Sequence, residues 1–358
     1  MARVHQLLFC VVCLSISFFG KAALAGDETE VYRTTFEHSW PKTNFSKYTV
    51  LPQTFQSGGP ARDGIPAINS PKIETLKGGV ASGWARQLSP RAPVIVIALN
   101  GEARAYPLEV MLWHEIVNDT LGGVPIVATY CPLCNVALVF RRKVEGRMLD
   151  FGTTGLLRDS NLVMYDRQTE SWWQQFGGRA IVGEWTGTRL AMIPSRVESF
   201  AAFARQYPDG EVLIPSNPDM RAYGKTPYVG YDGNQTPPFL NGEVETYPLK
   251  PMDSVVVIQG GKSPFAVSMN YLRIVREMNV DGLKIVWRPG MTSVLDSRNV
   301  KDGRDLGEVE VERLTPGPKG RVIFFRTFAF AYRSFFPDGV IITRCVNAER
   351  HSHADCRP

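Results

Sequence analysis

The feature that most constrains this chain is its punctuation. Short apolar runs alternate with glycine- and proline-bearing turns along most of its length, and 32 glycines and 25 prolines in 358 residues set that rhythm. Residues 94–99 form an apolar run closed by Asn100-Gly101. Ile116-Val117 and residues 124–130 meet across Gly122-Gly123, and residues 136–140 and 148–151 turn at Glu145-Gly146. Apolar runs this short, joined by Asn-Gly or Gly-Gly, read as strands of hairpins. A helical bundle is excluded, and with 44% hydrophobic and 21% charged residues so is a disordered chain. The expected fold class is α+β and strand-rich.

Two helices are signalled within this pattern. Pro107 opens one, with Leu108, Met111 and Leu112 at helical spacing. Ser195 and Glu198 have the spacing of a capping box for the other, whose stripe is Phe200, Phe203, Ala204 and Tyr207 and whose stop is Pro208. The second helix has an echo: residues 200–210 resemble residues 329–339, each closing on Pro-Asp-Gly. Val144-Glu145-Gly146 resembles Val280-Asp281-Gly282, and residues 94–108 resemble 255–267, with Asn100-Gly101-Glu102 against Asn241-Gly242-Glu243 as a rival register. Landmarks in the same order imply two related halves forming one body. The expected layout is a Pro/Gly-rich wrapping segment at 26–90, a first half at 91–214, a linker at 215–249, a degenerate second half at 250–343, and a Cys/His tail at 344–358.

Residues 1–25 run from Arg3 through an apolar core to Ala23-Leu24-Ala25, the order of a secretory signal peptide cleaved near Ala25. Export to the periplasm or the medium follows. The leader takes Cys10 and Cys13 with it, leaving Cys131, Cys134, Cys345 and Cys356. A net charge of +5, lowered further by the loss of Arg3 and Lys21, carries no nucleic-acid signal. No later run is long enough for a stable membrane span. Nothing in the sequence fixes an oligomeric state.

The chemistry concentrates in Cys131-Pro132-Leu133-Cys134. Two thiols at this spacing bind one metal, close a disulfide, or exchange redox equivalents. The strand-like residues 136–140 that follow speak against a thioredoxin-type site, where the pair opens a helix. His114, in the polar run Trp113-His114-Glu115-Ile116-Val117-Asn118-Asp119, is placed by the Gly122-Gly123 turn toward the same sheet end. Two thiolates and one imidazole suit copper first and zinc second. Asn161, Asp166, Ser171, Trp172, Trp173 and Gln174, with Asn118, form a second polar and aromatic set that reads in two ways: a turn capped by Asp166 with the tryptophans in the core, or the lining of a ligand pocket. In an exported chain Cys345 and Cys356 are expected to close the tail by a disulfide.

The runs Ala105-Tyr106-Pro107, Trp113 to Asp119, Thr129 to Cys134, Phe151-Gly152 and Asp166 to Gln174, with the closing aromatic segment 328–337, resemble an exported prokaryotic family known as domain of unknown function 3179. The resemblance spans residues 60–343. It implies that His114, Glu115, Asn118, Asp119, Cys131 and Cys134 belong to the family's characteristic core, and it implies no reaction.

The leading expectation is an exported metal-binding protein, carrier or metalloenzyme, with Cys131, Cys134 and His114 as ligands and copper or zinc as the ion. If it is an enzyme, His114, Glu115 and Asp119 handle protons. Two alternatives stand beside it. One is a non-catalytic small-molecule or glycan-binding module with a structural disulfide. The other is a thiol-dependent enzyme.

Overall fold

Turn chemistry builds the molecule. Left-handed φ values fall at Asn100 and Gly101, at Gly122 and Gly123, and at Glu145 and Gly146. At Gly122 a Cβ would stand 2.5 Å from the Leu99 carbonyl oxygen, so only glycine fits that turn. The computed structural model describes residues 28–233, 237–239, 244–259, 263–315 and 321–344. The expected leader at 1–25, Asn241 of the rival repeat register, and the tail cysteines Cys345 and Cys356 lie outside the described residues.

Each apolar run becomes a strand of a small sheet. Ile116–Leu121, Val124–Cys131, Val136–Arg141 and Met192–Ile193 make the sheet that carries the cysteine motif. Phe55–Ser57, Phe151–Arg158, Asn161–Asp166, Trp172–Gln174 and Arg179–Val182 form an antiparallel meander. The expected hairpin of 136–140 with 148–151 is corrected. Glu145-Gly146 turns a two-stranded ribbon, Lys143–Val144 with Arg147–Met148, and Phe151 starts a strand of the meander instead.

The 26–90 segment contributes a helix over 28–36 and edge strands. Phe55–Ser57 extends the meander, and Lys72–Thr75 pairs with Glu211–Ile214.

Two sheets share one plan. In the first, Arg196–Ser199, Pro93–Leu99, Glu102–Pro107 and Glu211–Ile214 lie side by side, the last pair parallel. In the second, Ile323–Phe328, Ser254–Gln259, Phe265–Ser268 and Val340–Ile342 repeat that order, again with the last pair parallel. Val94 faces Pro107 as Val255 faces Ser268. The helices Leu108–His114 and Met269–Val275 follow at once, and Phe200–Gln206 and Ala329–Phe335 stand before the returning parallel strands. Val280-Asp281-Gly282 turns between Glu277–Val280 and Leu283–Arg288, where Gly122-Gly123 turns in the first half. The sequence match to Val144-Glu145-Gly146 therefore joined turns of different hairpins.

The capping box is also corrected. Residues 196–199 are extended against residues 93–96, so Ser199, not Ser195, caps Phe200–Gln206, its Oγ accepting from Ala202 N at 3.2 Å. Glu198 pairs instead with Arg196 at 2.5 Å.

One hydrophobic core runs through both halves. Ile95, Val117, Val127 and Cys131 belong to the same buried cluster as Val255, Val257, Phe328 and Phe330. Each such side chain contributes about 1.5–3 kcal/mol, so the halves are held as one body.

Candidate functional site

Strand Val124–Cys131 ends where Pro132 fixes the backbone and a 3-10 turn, Pro132–Cys134, brings the second thiol back beside the first. Asn135 then takes a left-handed conformation, φ 50°, and Val136 pairs with Cys131 across the knuckle. Tyr130 Oη donates to Asn135 Oδ1 at 3.1 Å and fixes that reversal. As expected, a strand follows.

Both cysteines are free thiols and buried, Cys131 1% and Cys134 0% exposed. The Ser160 carbonyl oxygen lies 3.3 Å from Cys134 Sγ and 3.7 Å from Cys131 Sγ. It is delivered by a two-residue turn joining Phe151–Arg158 to Asn161–Asp166, in which Asp159 (φ 52°) and Ser160 (φ 58°) are both left-handed without being glycine. Such backbone strain persists where the surroundings over-determine it. Ser160 Oγ donates to the Phe239 carbonyl, which ties the turn to the 215–249 segment.

The two sulfurs are electrostatically unequal. Burial opposes the thiolate at Cys131. The Cys134 thiol and the backbone N–H groups of Leu162, Cys134 and Leu133 point at that sulfur and outweigh burial, so its pKa lies below the ordinary thiol value. Cys134 is pushed well above it by burial, by the bond it makes to Cys131 and by the neighbouring negative charge, against a hydrogen bond from Asn161. The absence of a helix after the motif does not deny it a thiolate, because amides of the 3-10 turn supply the stabilisation a helix N-terminus would.

Glu115 is the acid coupled to Cys131. It caps the helix Leu108–His114 with φ 57°, and its carbonyl accepts from Tyr130 N at 2.8 Å, which sets its side chain beside Cys131. Burial, and then the Cys131 charge, raise its pKa well above the carboxylate range. The same groups, with burial first, raise Tyr228. Tyr231 closes the other side, its hydroxyl donating to the Leu133 carbonyl at 3.0 Å. Thr327 of the second half donates to the Cys134 carbonyl at 2.8 Å.

The remaining expected residues sit elsewhere. His114 lies 2.8 Å from the Pro66 carbonyl through Nδ1 and 2.8 Å from Tyr223 Oη through Nε2. A carbonyl only accepts, so Nδ1 carries the proton and the Nε2 lone pair is taken by Tyr223. Burial, with Arg221 nearby, lowers its pKa against the Pro66 bond and keeps the ring neutral. Cys131, Cys134 and His114 therefore do not assemble as three ligands. Among the described residues no group of three or more His, Cys, Asp or Glu side chains is arranged to hold a metal.

Asp119 is a structural anion, accepting from Arg104 at 2.5 Å and Tyr106 at 2.7 Å. Asn118 clips two sheets together through both atoms of its amide, to the Phe151 N–H at 2.9 Å and its carbonyl at 2.8 Å.

Of the two readings of the tryptophan set, the structure shows the packed core with a turn capped by Asp166 and not the pocket lining. Trp172 and Trp173 are 0% exposed. Trp172 sits among Phe36, Trp40 and Phe55 at ring distances of 5.0–5.3 Å. Trp173 donates to Asp166 at 2.9 Å, which also caps a turn through Thr169 N at 2.7 Å. Ser171 Oγ accepts from Trp185 N at 3.1 Å, and Gln174 donates to Asn161 at 2.7 Å. Of this set only Asn161 reaches the thiols. Its amide also bonds Gln175 and Phe176, each at 2.7 Å.

The sequence reading missed Ser160, Tyr228, Tyr231 and Thr327. Tyr223, Tyr228 and Tyr231 in a supposed linker were the available signal, since aromatic residues cluster where a segment packs.

Residues 62–339 match the model of a family described as protein of unknown function (DUF3179). No curated protein and no solved structure matches the chain.

Proposed function

The chain belongs to the DUF3179 family, and from the chemistry of its buried thiol pair we propose that it is an exported dithiol–disulfide redox protein, with Cys131 attacking and Cys134 resolving. One observation carries the reading: two free, buried thiols lie side by side on one 3-10 turn under the Ser160 carbonyl, 3.3 and 3.7 Å from it, and the backbone N–H groups of Leu162, Cys134 and Leu133 gather on Cys131. That arrangement suits a nucleophile and a resolving thiol.

The Cys131 thiolate attacks one sulfur of a substrate disulfide. The S–S bond breaks, a mixed disulfide forms, and the other substrate sulfur leaves as a thiolate. Cys134 then gives up its proton and attacks Cys131 Sγ, releasing the second substrate thiol. Two electrons pass to the substrate, and Cys131 and Cys134 end as a disulfide. Glu115, held neutral beside Cys131, relays the proton in this second step: it gives its own to the departing substrate thiolate and takes the one Cys134 releases. With both sulfurs buried, the substrate sulfur is small or enters as the segment carrying Tyr228 and Tyr231 shifts.

Export rests on the order of residues 1–25. The shared strand order, register and helix placement of the two sheets support an origin by duplication, in which one half kept the thiols.

A second reading draws on the same pair. Two adjacent soft sulfurs in an apolar setting can hold one Cu(I) ion with two thiolates. One set of variants separates the two. With redox function, the native protein reduces a small aromatic disulfide at neutral pH, Cys131→Ser abolishes this, and Cys134→Ser accumulates the mixed disulfide. Stoichiometric copper retention by a protein whose thiols do not react with the disulfide would overturn the redox reading in favour of the carrier.

A further inference from the structure

A second site lies between the 215–249 segment and the second half. A cavity of about 180 Å³ is lined by Asp232, Asp253, Arg273, Arg304, Asp305 and Arg326, among others. A water needs only about 10–15 Å³ of such space, so a molecule of several heavy atoms fits.

Its charges are unevenly committed. Arg304 is fully engaged, donating to Asp232 Oδ1 at 2.8 Å, to the Asp232 carbonyl at 2.8 Å and to Asp296 at 3.1 Å. Asp232 also accepts from Ser293 at 2.6 Å. Asp305 accepts from Gly290 N at 3.0 Å and Gly307 N at 2.7 Å and faces Arg91 at 3.6 Å. Asp253 accepts from Lys250 N at 2.9 Å and Asn270 Nδ2 at 3.5 Å but, among the described residues, faces no cation within ion-pair distance.

Arg326 is the exception among the cations facing inward. It projects from strand Ile323–Phe328, donates Nη2 to the Gly307 carbonyl at 2.6 Å, and has no carboxylate within ion-pair distance among the described residues. Burial lowers its pKa to about 10, against the pull of Asp232 and then Tyr130. Arginine has five N–H donors, and the bond to Gly307 uses one of them, so the half-buried Arg326 guanidinium has donors to spare toward the cavity. Arg273, at the exposed rim, likewise has no paired carboxylate among the described residues.

We propose that this cavity binds a small oxyanion, a carboxylate or phosphate group, with Arg326 as the inner clamp and Arg273 at the mouth. A planar guanidinium meets such a group with two parallel hydrogen bonds. The site stands independently of the thiol chemistry and uses none of its residues.

The test is isothermal titration of the full chain with inorganic phosphate and, separately, with succinate, at constant ionic strength. Saturable binding of one or both is expected, weakened tenfold or more in Arg326→Gln, several-fold in Arg273→Gln, and partly kept in Arg326→Lys. Selectivity between the probes identifies which oxyanion class is taken. Absence of saturable binding by the wild type to either probe overturns the proposal, as does unchanged affinity in Arg326→Gln. If Arg326→Gln fails to fold, unchanged affinity in the rim variant Arg273→Gln overturns it on its own.

Discussion

Glu115 shows how fold and chemistry share a residue. Its φ of 57° is strained for a side-chain-bearing residue. Arg276 adopts φ 65° at the same point after its own helix, in a half that has no cysteine. The strain therefore comes from the helix-to-strand turn, and what is particular to Glu115 is the carboxyl it lodges beside a thiol. Glu115→Gln is expected to leave attack by Cys131 intact and slow resolution by about 10²-fold or more, since general acid–base help is worth that much. Stopped-flow separation of the two phases checks it, and equal slowing of both would remove Glu115 from the proton path. Asp119 was legible as a polar residue of the motif, but its role was not, because only the fold brings Arg104 and Tyr106 to it. Arg104 keeps Glu211 at 2.5 Å, so Asp119→Ala mainly strands the Tyr106 hydroxyl and should lose about 1–3 kcal/mol of stability in urea denaturation while leaving the thiol alkylation rate unchanged.

The hairpins could be read from their turns because a two-residue Gly-Gly or Asn-Gly connection is a local constraint. The cap of Phe200–Gln206 could not, because residues 196–199 are drawn into a strand by pairing with residues 93–96. Ser199→Ala should therefore cost about 1 kcal/mol and Ser195→Ala almost nothing, a contrast that thermal denaturation would resolve. The helix Leu108–His114 carries another concealed feature. Glu109, 5% exposed, has its pKa raised by burial to about 7. In the unfolded chain it ionises near 4.5, so the folded state holds the extra proton between those values. Stability then falls as pH rises from about 4.5 to 7, and no penalty exists below that window. Glu109→Gln is expected to gain about 3 kcal/mol at pH 8 and little at pH 4; denaturant midpoints at the two pH values check the sign.

At the scale of the molecule, the N-terminal segment is part of the fold. Arg62 stacks 4.4 Å over both Trp40 and Tyr165 and pairs with Glu170 at 2.8 Å, while Tyr32, Trp40 and Phe45 bury Trp172. A chain starting at residue 58 should expose Trp172 and lose its cooperative near-UV transition, although the whole family region, 62–339, is intact; a retained sharp transition would show the segment to be dispensable. By itself the sequence determined the strand-rich α+β class, the hairpin turns, and the pairing of Cys131 with Cys134 around Pro132, all of which depend on neighbours in the chain. Only the tertiary structure decided that His114 spends its nitrogens on Pro66 and Tyr223, that the tryptophans are core, and that Ser160, Tyr231 and Thr327 enclose the thiols. It alone also left Arg326 facing a cavity with no carboxylate at ion-pair distance among the described residues. The physical reason is range: turn geometry and thiol spacing are set over a few residues, whereas desolvation and hydrogen-bond satisfaction depend on which distant groups folding brings into contact.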